Sequence, residues 1–215
     1  MLRLATKIKR RLLYDFYLAP RGYGFPVEKE VWERQYKDGV WDHLNSTEEL
    51  AHYMIIVGYM HQLSKTMGHP PSVLDLGCGH GRLLELLAHL DFKSYLGIDL
   101  SEAAIRQAES LGVKHATFEA ADFEQWQFAA GAYDVVIINE ALYYAKDPAA
   151  MMSRYRRALS EDGVFIVSLN RYGNYEVIWK NVSQFLGVMA STAVKNGKGQ
   201  VWDVKLLAPY VPHQS

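Results

Sequence analysis

Gly77, Gly79 and Gly81 alternate with Cys78 and His80, directly after the apolar run "VLDL" and directly before the leucine-rich stretch "RLLELL". Bare backbone at a strand-to-helix turn lets a ligand approach closely, and the first amides of the helix favour an anionic group. An acidic residue, Asp75, stands two residues before the first glycine. Asp99 ends the next apolar run, "SYLGID", 18 residues beyond Gly81. Asp99 beside Ser101 also suits the cap of a following helix.

A third group of candidates lies in "NEALYY". Glu140 can orient or deprotonate a substrate hydroxyl, and Tyr144 can wall the pocket or hydrogen-bond the substrate, with Asn139 and Tyr143 beside them. Each also reads as ordinary structure, a loop carboxylate and packing rings. Cys78 is the single cysteine, so no intramolecular disulfide is available, and it reads as a small residue that suits the loop. His43, His52 and His61 recur every nine residues, which is not a one-face helical repeat, so no metal site is expected.

The elements that must position these groups follow from periodicity. From Ser72, short apolar runs alternate with amphipathic stretches: strands over "SVLDL", "SYLGIDL", "VKHATFEA", "YDVVIIN" and "GVFIVSL". Helices are predicted between them over 80–90, 101–112 and 147–159. This order predicts an α/β fold with a mostly parallel sheet covered on both faces. Residues 174–189 read as one further helix, and "STAVKNGKGQVWDVKLL" as an antiparallel hairpin turning near Asn196-Gly197.

Residues 72–215 form the expected ligand-binding domain. Residues 26–71 read as a helical cap. It is dense in aromatics (Trp32, Tyr36, Trp41), and a capping box at Ser46 and Glu49 opens a helix whose apolar face is Leu50, Tyr53, Met54, Val57 and Met60. Residues 1–25 are a basic amphipathic head with six basic residues and one acid, which leaves −6 on the remainder of a chain of net charge −1. Leu4, Ile8, Leu12 and Phe16, with Leu13 and Tyr17, make one apolar stripe. Such a helix suits an anionic membrane surface, packing on its own domain, or a second copy of the chain.

The stretch "VLDLGCGHG" resembles motif I of the class I S-adenosylmethionine-dependent methyltransferases. A dinucleotide fingerprint would carry its third glycine one residue later. The resemblance continues in order through "YLGIDLS", "AADFEQW", "YDVVIINEALYY" and "RALSEDGVFIVSL", covering about 73–170. It implies a Rossmann-like sheet closed by an antiparallel hairpin, with S-adenosylmethionine as cofactor and S-adenosylhomocysteine as product. By resemblance, Gly77, Cys78, Gly79 and Gly81 hold the methionine end, with Asp75 towards its amino group. Asp99 binds the ribose, Leu100 and Phe123 sandwich the adenine, and Asp122 accepts from its amino group. Asn139 is also implied at the cofactor, and the cap supplies Tyr36 to its carboxylate end. Asp122 equally suits a turn.

Net charge argues against a general nucleic-acid binder. The segments that mark base-amine, cytosine-C5 and protein-arginine methylation within this family do not appear. A small-molecule, lipid or glycan-type acceptor is therefore expected, methylated at oxygen. The cap, "NEALYY" and "VWDVKLL" are loosely similar to bacterial enzymes of surface-polysaccharide and secondary-metabolite pathways. The rival expectations are an aminopropyltransferase-like enzyme, a nicotinamide-dependent dehydrogenase and a binding-only protein. The lone cysteine and the lack of an apolar leader in the head make a cytoplasmic location the expectation.

Overall fold

The computed structural model describes residues 2–209, with side chains from Ile8 onward. The helices are α1 (Leu2–Leu13), α2 (Lys29–Lys37) and α3 (Thr47–Thr66), followed by β1 (Ser72–Leu76), α4 (Arg82–Leu87) and β2 (Ser94–Asp99). Next come α5 (Glu102–Glu109), β3 (Ala116–Ala120), β4 (Tyr133–Asn139), α6 (Pro148–Tyr155) and β5 (Leu159–Asn170). The chain closes with α7 (Tyr175–Val182), β6 (Leu186–Lys195) and β7 (Val201–Pro209).

The strands form one sheet in the order β3-β2-β1-β4-β5-β7-β6. The first five are parallel, and β7 runs antiparallel to both β5 and β6. This is the sheet, with its closing hairpin, that the sequence pattern predicts. Alternate residues of each central strand feed opposite faces. Leu74, Leu76, Val136, Ile138, Phe165 and Val167 pack under α6 and α7. Val73, Val135, Ile137, Val164 and Ile166 pack under α3 and α4. Strand order reverses between β1 and β4, so a crevice opens at their carboxyl ends, where open α/β sheets bind ligands.

Several boundaries differ from the sequence reading. The helix expected over 80–90 is only α4, because the glycine turn occupies the chain as far as Gly81, whose φ is +86°. The strand expected from Val113 starts at Ala116, after His115 in the left-handed region at φ +61°. The helix over 147–159 ends at Tyr155, and β5 starts at Leu159, where it pairs with Tyr133. Residues 174–189 are not one helix: α7 stops at Val182, and Leu186–Met189 belongs to β6, held by pairing with β7. At the start of α3, Ser46 makes no side-chain cap bond. Its buried face takes Ile56 and Leu63, while Met54 is 48% exposed.

Glu33 is a principal fastening of the cap. Glu33 on α2 accepts from the Ser101 hydroxyl at 2.9 Å and the Ala103 amide at 3.1 Å, at the first turn of α5. Trp32, Tyr36 and Trp41 then pack on Ala103 and Ala104. Burial raises the Glu33 pKa, but the bonds from Ala103, Ser101 and Lys37 outweigh it and bring the group down to about 2. The clasp is therefore complete above about 4.5, its ordinary value, and is lost as the pH falls through about 2. Glu33→Ala is expected to cost about 1–2 kcal/mol of stability, allowing for partial exposure of the side chain. A thermal melt at neutral pH checks this, and an unchanged midpoint would mean that the cap is held by its aromatics alone.

Most of the bonds that strap the head down lie behind α1. Asn174 Nδ2 donates to the carbonyls of Ala19 and Tyr23, and Asn181 Nδ2 to that of Arg21. The amides of Gly24 and Phe25 donate to the carbonyls of Lys146 and Tyr143. Of the apolar stripe, Leu4 lies outside the described side chains, and Ile8, Leu12, Leu13, Phe16 and Tyr17 are 51–79% exposed rather than packed on this domain.

Candidate active site

A cavity of about 1240 Å³ opens over the carboxyl ends of the strands and runs out under the cap and the head. It exceeds the roughly 300–1,000 Å³ of a single-ligand pocket, so two ligands can lie in it together. Every site residue expected from sequence lines it except Gly81: Tyr36, Asp75, Gly77, Cys78, Gly79, Asp99, Leu100, Asp122, Phe123, Asn139, Glu140 and Tyr144.

The glycine loop is a fitted cradle. The amides of Gly77 and Cys78 both donate to the carbonyl of Ile98, at 2.7 and 3.0 Å, which ties the loop to β2. Gly77 has φ +79°, and a Cβ there would lie 2.5 Å from Cβ of Ala141. A Cβ at Gly79 would lie 2.7 Å from the Tyr36 hydroxyl, so the cap reaches the loop directly. Gly81 is not among the residues that line the cavity. A Cβ on it would meet Leu111 at 2.7 Å and Ala108 at 3.2 Å, so a bare position here lets the start of α4 pack on α5.

Two buried carboxylates face the cradle. Asp99 accepts from the Gly79 amide through Oδ2 at 3.0 Å and from the Ser101 amide through Oδ1 at 2.9 Å. Ser101, not Asp99, caps α5 by accepting from the Ala104 amide. Burial pushes Asp99 up to about 6 against the bonds from Ser101, Gly79 and Leu100. Each oxygen keeps a further lone pair, enough to accept from a diol. Asp75 accepts from the Tyr95 hydroxyl at 2.5 Å through Oδ2, while its buried Oδ1 has no partner among the described residues. Burial pushes Asp75 up to about 7, with the Tyr95 bond opposing and the charge of Asp99 adding. Oδ1 of Asn139 is likewise buried and unpartnered among the described residues. Buried polar atoms without partners are costly, so these two point to a ligand with hydrogen-bond donors.

At the far side of the cradle, Leu100 and Phe123 line the cavity with Asp122. Asp122 accepts from the Glu124 amide and from Gln125 Nε2, both at 2.9 Å, so it also shapes its own turn. That turn is buttressed from α6, where the Tyr155 hydroxyl and Arg154 Nη1 donate to the carbonyl of Phe123.

On the other side of the crevice, Glu140 stands at φ +55°, a left-handed conformation rare outside glycine and costly to hold. Its Oε1 accepts from the Ser168 hydroxyl at 2.6 Å. Its Oε2 accepts from the Tyr143 hydroxyl and the Asn170 amide, both at 3.2 Å. Three donors hold the carboxylate in one orientation and leave Oε1 a free acceptor position. Burial raises it to about 7 against these same bonds. The Tyr144 ring stands edge-on to Trp32 at 4.8 Å, joining the β4 loop to the cap.

Sequence reasoning missed the residues that close this half of the cavity. His52 stacks between the rings of Tyr53 and Trp202 at 4.4 and 4.9 Å. Neither ring nitrogen has a hydrogen-bond partner among the described residues, and burial lowers the imidazole to about 4, so it is neutral at pH 7. Glu49 lies beside it, with 3.9 Å between Oε2 and Nδ1. Nothing in the nine-residue histidine spacing distinguishes His52, which is brought to Trp202 only by the docking of α3 on β7.

A family model described as a methyltransferase domain matches residues 71–203, more than half of the chain. A malonyl-[acyl-carrier protein] O-methyltransferase of Legionella pneumophila is 27% identical over 125 residues, which cover 55% of this chain and 44% of that protein. A ubiquinone biosynthesis O-methyltransferase of Thiobacillus denitrificans is 36% identical over 104 residues, or 46% of this chain and 44% of that protein. The chain thus spans less than half the length of either relative. Among solved structures, the N-methyltransferase NodS of Bradyrhizobium japonicum, in complex with S-adenosylhomocysteine, superposes with a TM-score of 0.68 at 18% identity. That match covers 85% of this chain and 98% of NodS, and shows the shared fold.

Proposed function

The chain belongs to the family of class I S-adenosylmethionine-dependent methyltransferase domains, and from that premise we propose that it methylates an oxygen of a small-molecule, lipid or glycan-type acceptor. The observation that carries this reading is the pairing, in one cavity, of a cofactor cradle with an oriented carboxylate across the crevice from it.

The cradle suits the cofactor on its own geometry. A Cβ at Gly77 or Gly79 would fill it, the orphaned Oδ1 of Asp75 is placed for an ammonium group, and Asp99 has lone pairs to spare for a ribose diol. Leu100 and Phe123 offer apolar walls for a purine, with Asp122 beside them. When bound, S-adenosylmethionine supplies a methyl group already activated on a sulfonium. The rest falls to positioning, which can be worth roughly 7–11 kcal/mol. Tyr36 and Trp32 exclude water from above. Glu140 accepts the acceptor's hydroxyl proton at Oε1, and the rings of Tyr143, Tyr144 and Trp202 flank the acceptor. Oxygen is favoured because a hydroxyl, unlike a free amine, needs a base, and Glu140 provides one. The two relatives named as O-methyltransferases support the same atom. A cytoplasmic site of action belongs to this reading and is supported by the lone cysteine.

The test is to incubate the protein with methyl-labelled S-adenosylmethionine and host extract, then separate lipid, small polar, glycan and macromolecular fractions. Label is expected in one of the first three. Label in the macromolecular fraction would overturn the acceptor class. S-adenosylhomocysteine binding with no label anywhere would turn the reading to a binding-only protein.

A further inference from the structure

The head, α1 with the π-helical turn Tyr14–Leu18 that continues it, presents two faces. Its inner side closes the cavity mouth, which is lined there by Arg10, Arg11, Tyr14 and Asp15. Arg10 pairs with Glu28 and donates to the carbonyl of Pro26, and both arginines lie within 6 Å of the Phe25 ring centre. Its outer side carries Ile8, Leu12, Leu13, Phe16 and Tyr17, the least of them 51% exposed and Phe16 79%. Lys9 and Arg21 are exposed at the edges of this face, the Arg21 guanidinium lying 3.9 Å over the Tyr17 ring. No other stretch of the described surface exposes so many large apolar side chains close together in the chain.

We propose that this outer face docks on an anionic phospholipid bilayer, which places the cavity mouth against the membrane and selects a membrane-borne amphiphile as acceptor. Charge decides between the occupants. Residues 1–25 carry six basic groups and one acid. Arg10, Arg11 and Asp15 lie on the inner side, so among the described residues a two-fold dimer through the outer face would set Lys9 and Arg21 of one copy against the same residues of the other, because such an interface is made of the same patch twice. An anionic bilayer supplies the opposite charge and takes the apolar side chains into its interfacial layer. No described helix is long and apolar enough to cross a membrane, so the contact is peripheral. The bilayer contact stands apart from the transferase reading, whereas the membrane-borne acceptor rests on it.

The experiment is co-sedimentation of the full chain with phosphatidylglycerol vesicles and with phosphatidylcholine vesicles, in the wild type and in the double variant Leu12→Glu, Phe16→Glu. Both positions are exposed, so the fold is kept, and S-adenosylhomocysteine binding by calorimetry verifies that. Expected is binding to phosphatidylglycerol only, falling about tenfold or more in the variant as apolar burial and charge are both reversed. Failure to bind phosphatidylglycerol vesicles overturns the docking. So does a wild type that is dimeric by light scattering while the variant is monomeric. Methyl label supplied with host membranes and host soluble fraction then tests the acceptor. Label in the membrane fraction supports it, and label confined to the soluble fraction overturns it while leaving the transferase reading standing. No label in either fraction, with S-adenosylhomocysteine still bound, overturns the transferase reading and leaves the vesicle result untouched.

Discussion

Glu140→Gln is expected to lower turnover by on the order of 10²–10⁴-fold, the range for loss of a positioned general base, while leaving S-adenosylhomocysteine affinity unchanged. The substitution keeps the shape and removes the charge. The pH dependence separates this from a structural effect. Burial, against the bonds from Ser168, Tyr143 and Asn170, places the carboxyl at about 7. As a base it works deprotonated, so wild-type turnover rises with pH through about 7 and then levels, and the variant lacks that limb. Stability runs the other way. A carboxyl raised from 4.5 to about 7 contributes stability that is fully present below 4.5 and is lost as the pH rises through about 7. At pH 8 the variant should therefore melt no lower than the wild type. Wild-type turnover in Glu140→Gln, measured on the acceptor fraction that takes up label, would reduce Glu140 to a brace for Ser168 and Asn170.

Asp99→Ala should weaken S-adenosylhomocysteine binding by about 1.5–3 kcal/mol, or roughly 10–150-fold, as expected for hydrogen bonds to a charged group. Two effects add here. The diol loses its acceptor, and the Gly79 and Ser101 amides lose theirs, so the cradle is less well held. Affinity should also depend on pH. Burial sets Asp99 at about 6 and Asp75 at about 7, and both must be ionised to receive a diol and an ammonium group. Below those values binding has to expel protons, so affinity falls by about tenfold per pH unit for each group. Calorimetry between pH 5 and 8 should show this fall in the wild type and only the Asp75 part of it in the variant. Unchanged affinity in Asp99→Ala would remove the ribose assignment.

How much of this was legible in the sequence follows the range of the forces involved. The cradle was legible because its demands are local. Positive φ at Gly77 and Gly79 restricts residue type at the position itself, and the apolar runs on either side declare a strand and a helix without reference to the rest of the chain. Asp75 and Asp99 were legible for the same reason, since one is the last residue but one and the other the last residue of a strand that the pattern already marks. Gly81 shows the limit. By type it belongs with its neighbours, yet its contact is with Ala108 on α5 and Leu111 in the turn that follows it. The strand Leu186–Lys195 is an edge strand, and its first residues continue an apolar pattern that a helix would also satisfy. Only pairing with β7 decides the matter.

The sequence by itself determined the sheet, its order of elements, the glycine cradle and the two carboxylates that face it, because short-range backbone preference and strand periodicity are enough for those. The tertiary structure alone decided the other half of the site. Glu140 is oriented by Ser168 and Asn170 from the next strand, His52 meets Trp202 across the width of the fold, and the head turns Ile8, Leu12, Leu13, Phe16 and Tyr17 outward while its inner side lines the cavity. These contacts join residues far apart in the chain. Their formation depends on how helices and sheet dock, and no local pattern of residues encodes that.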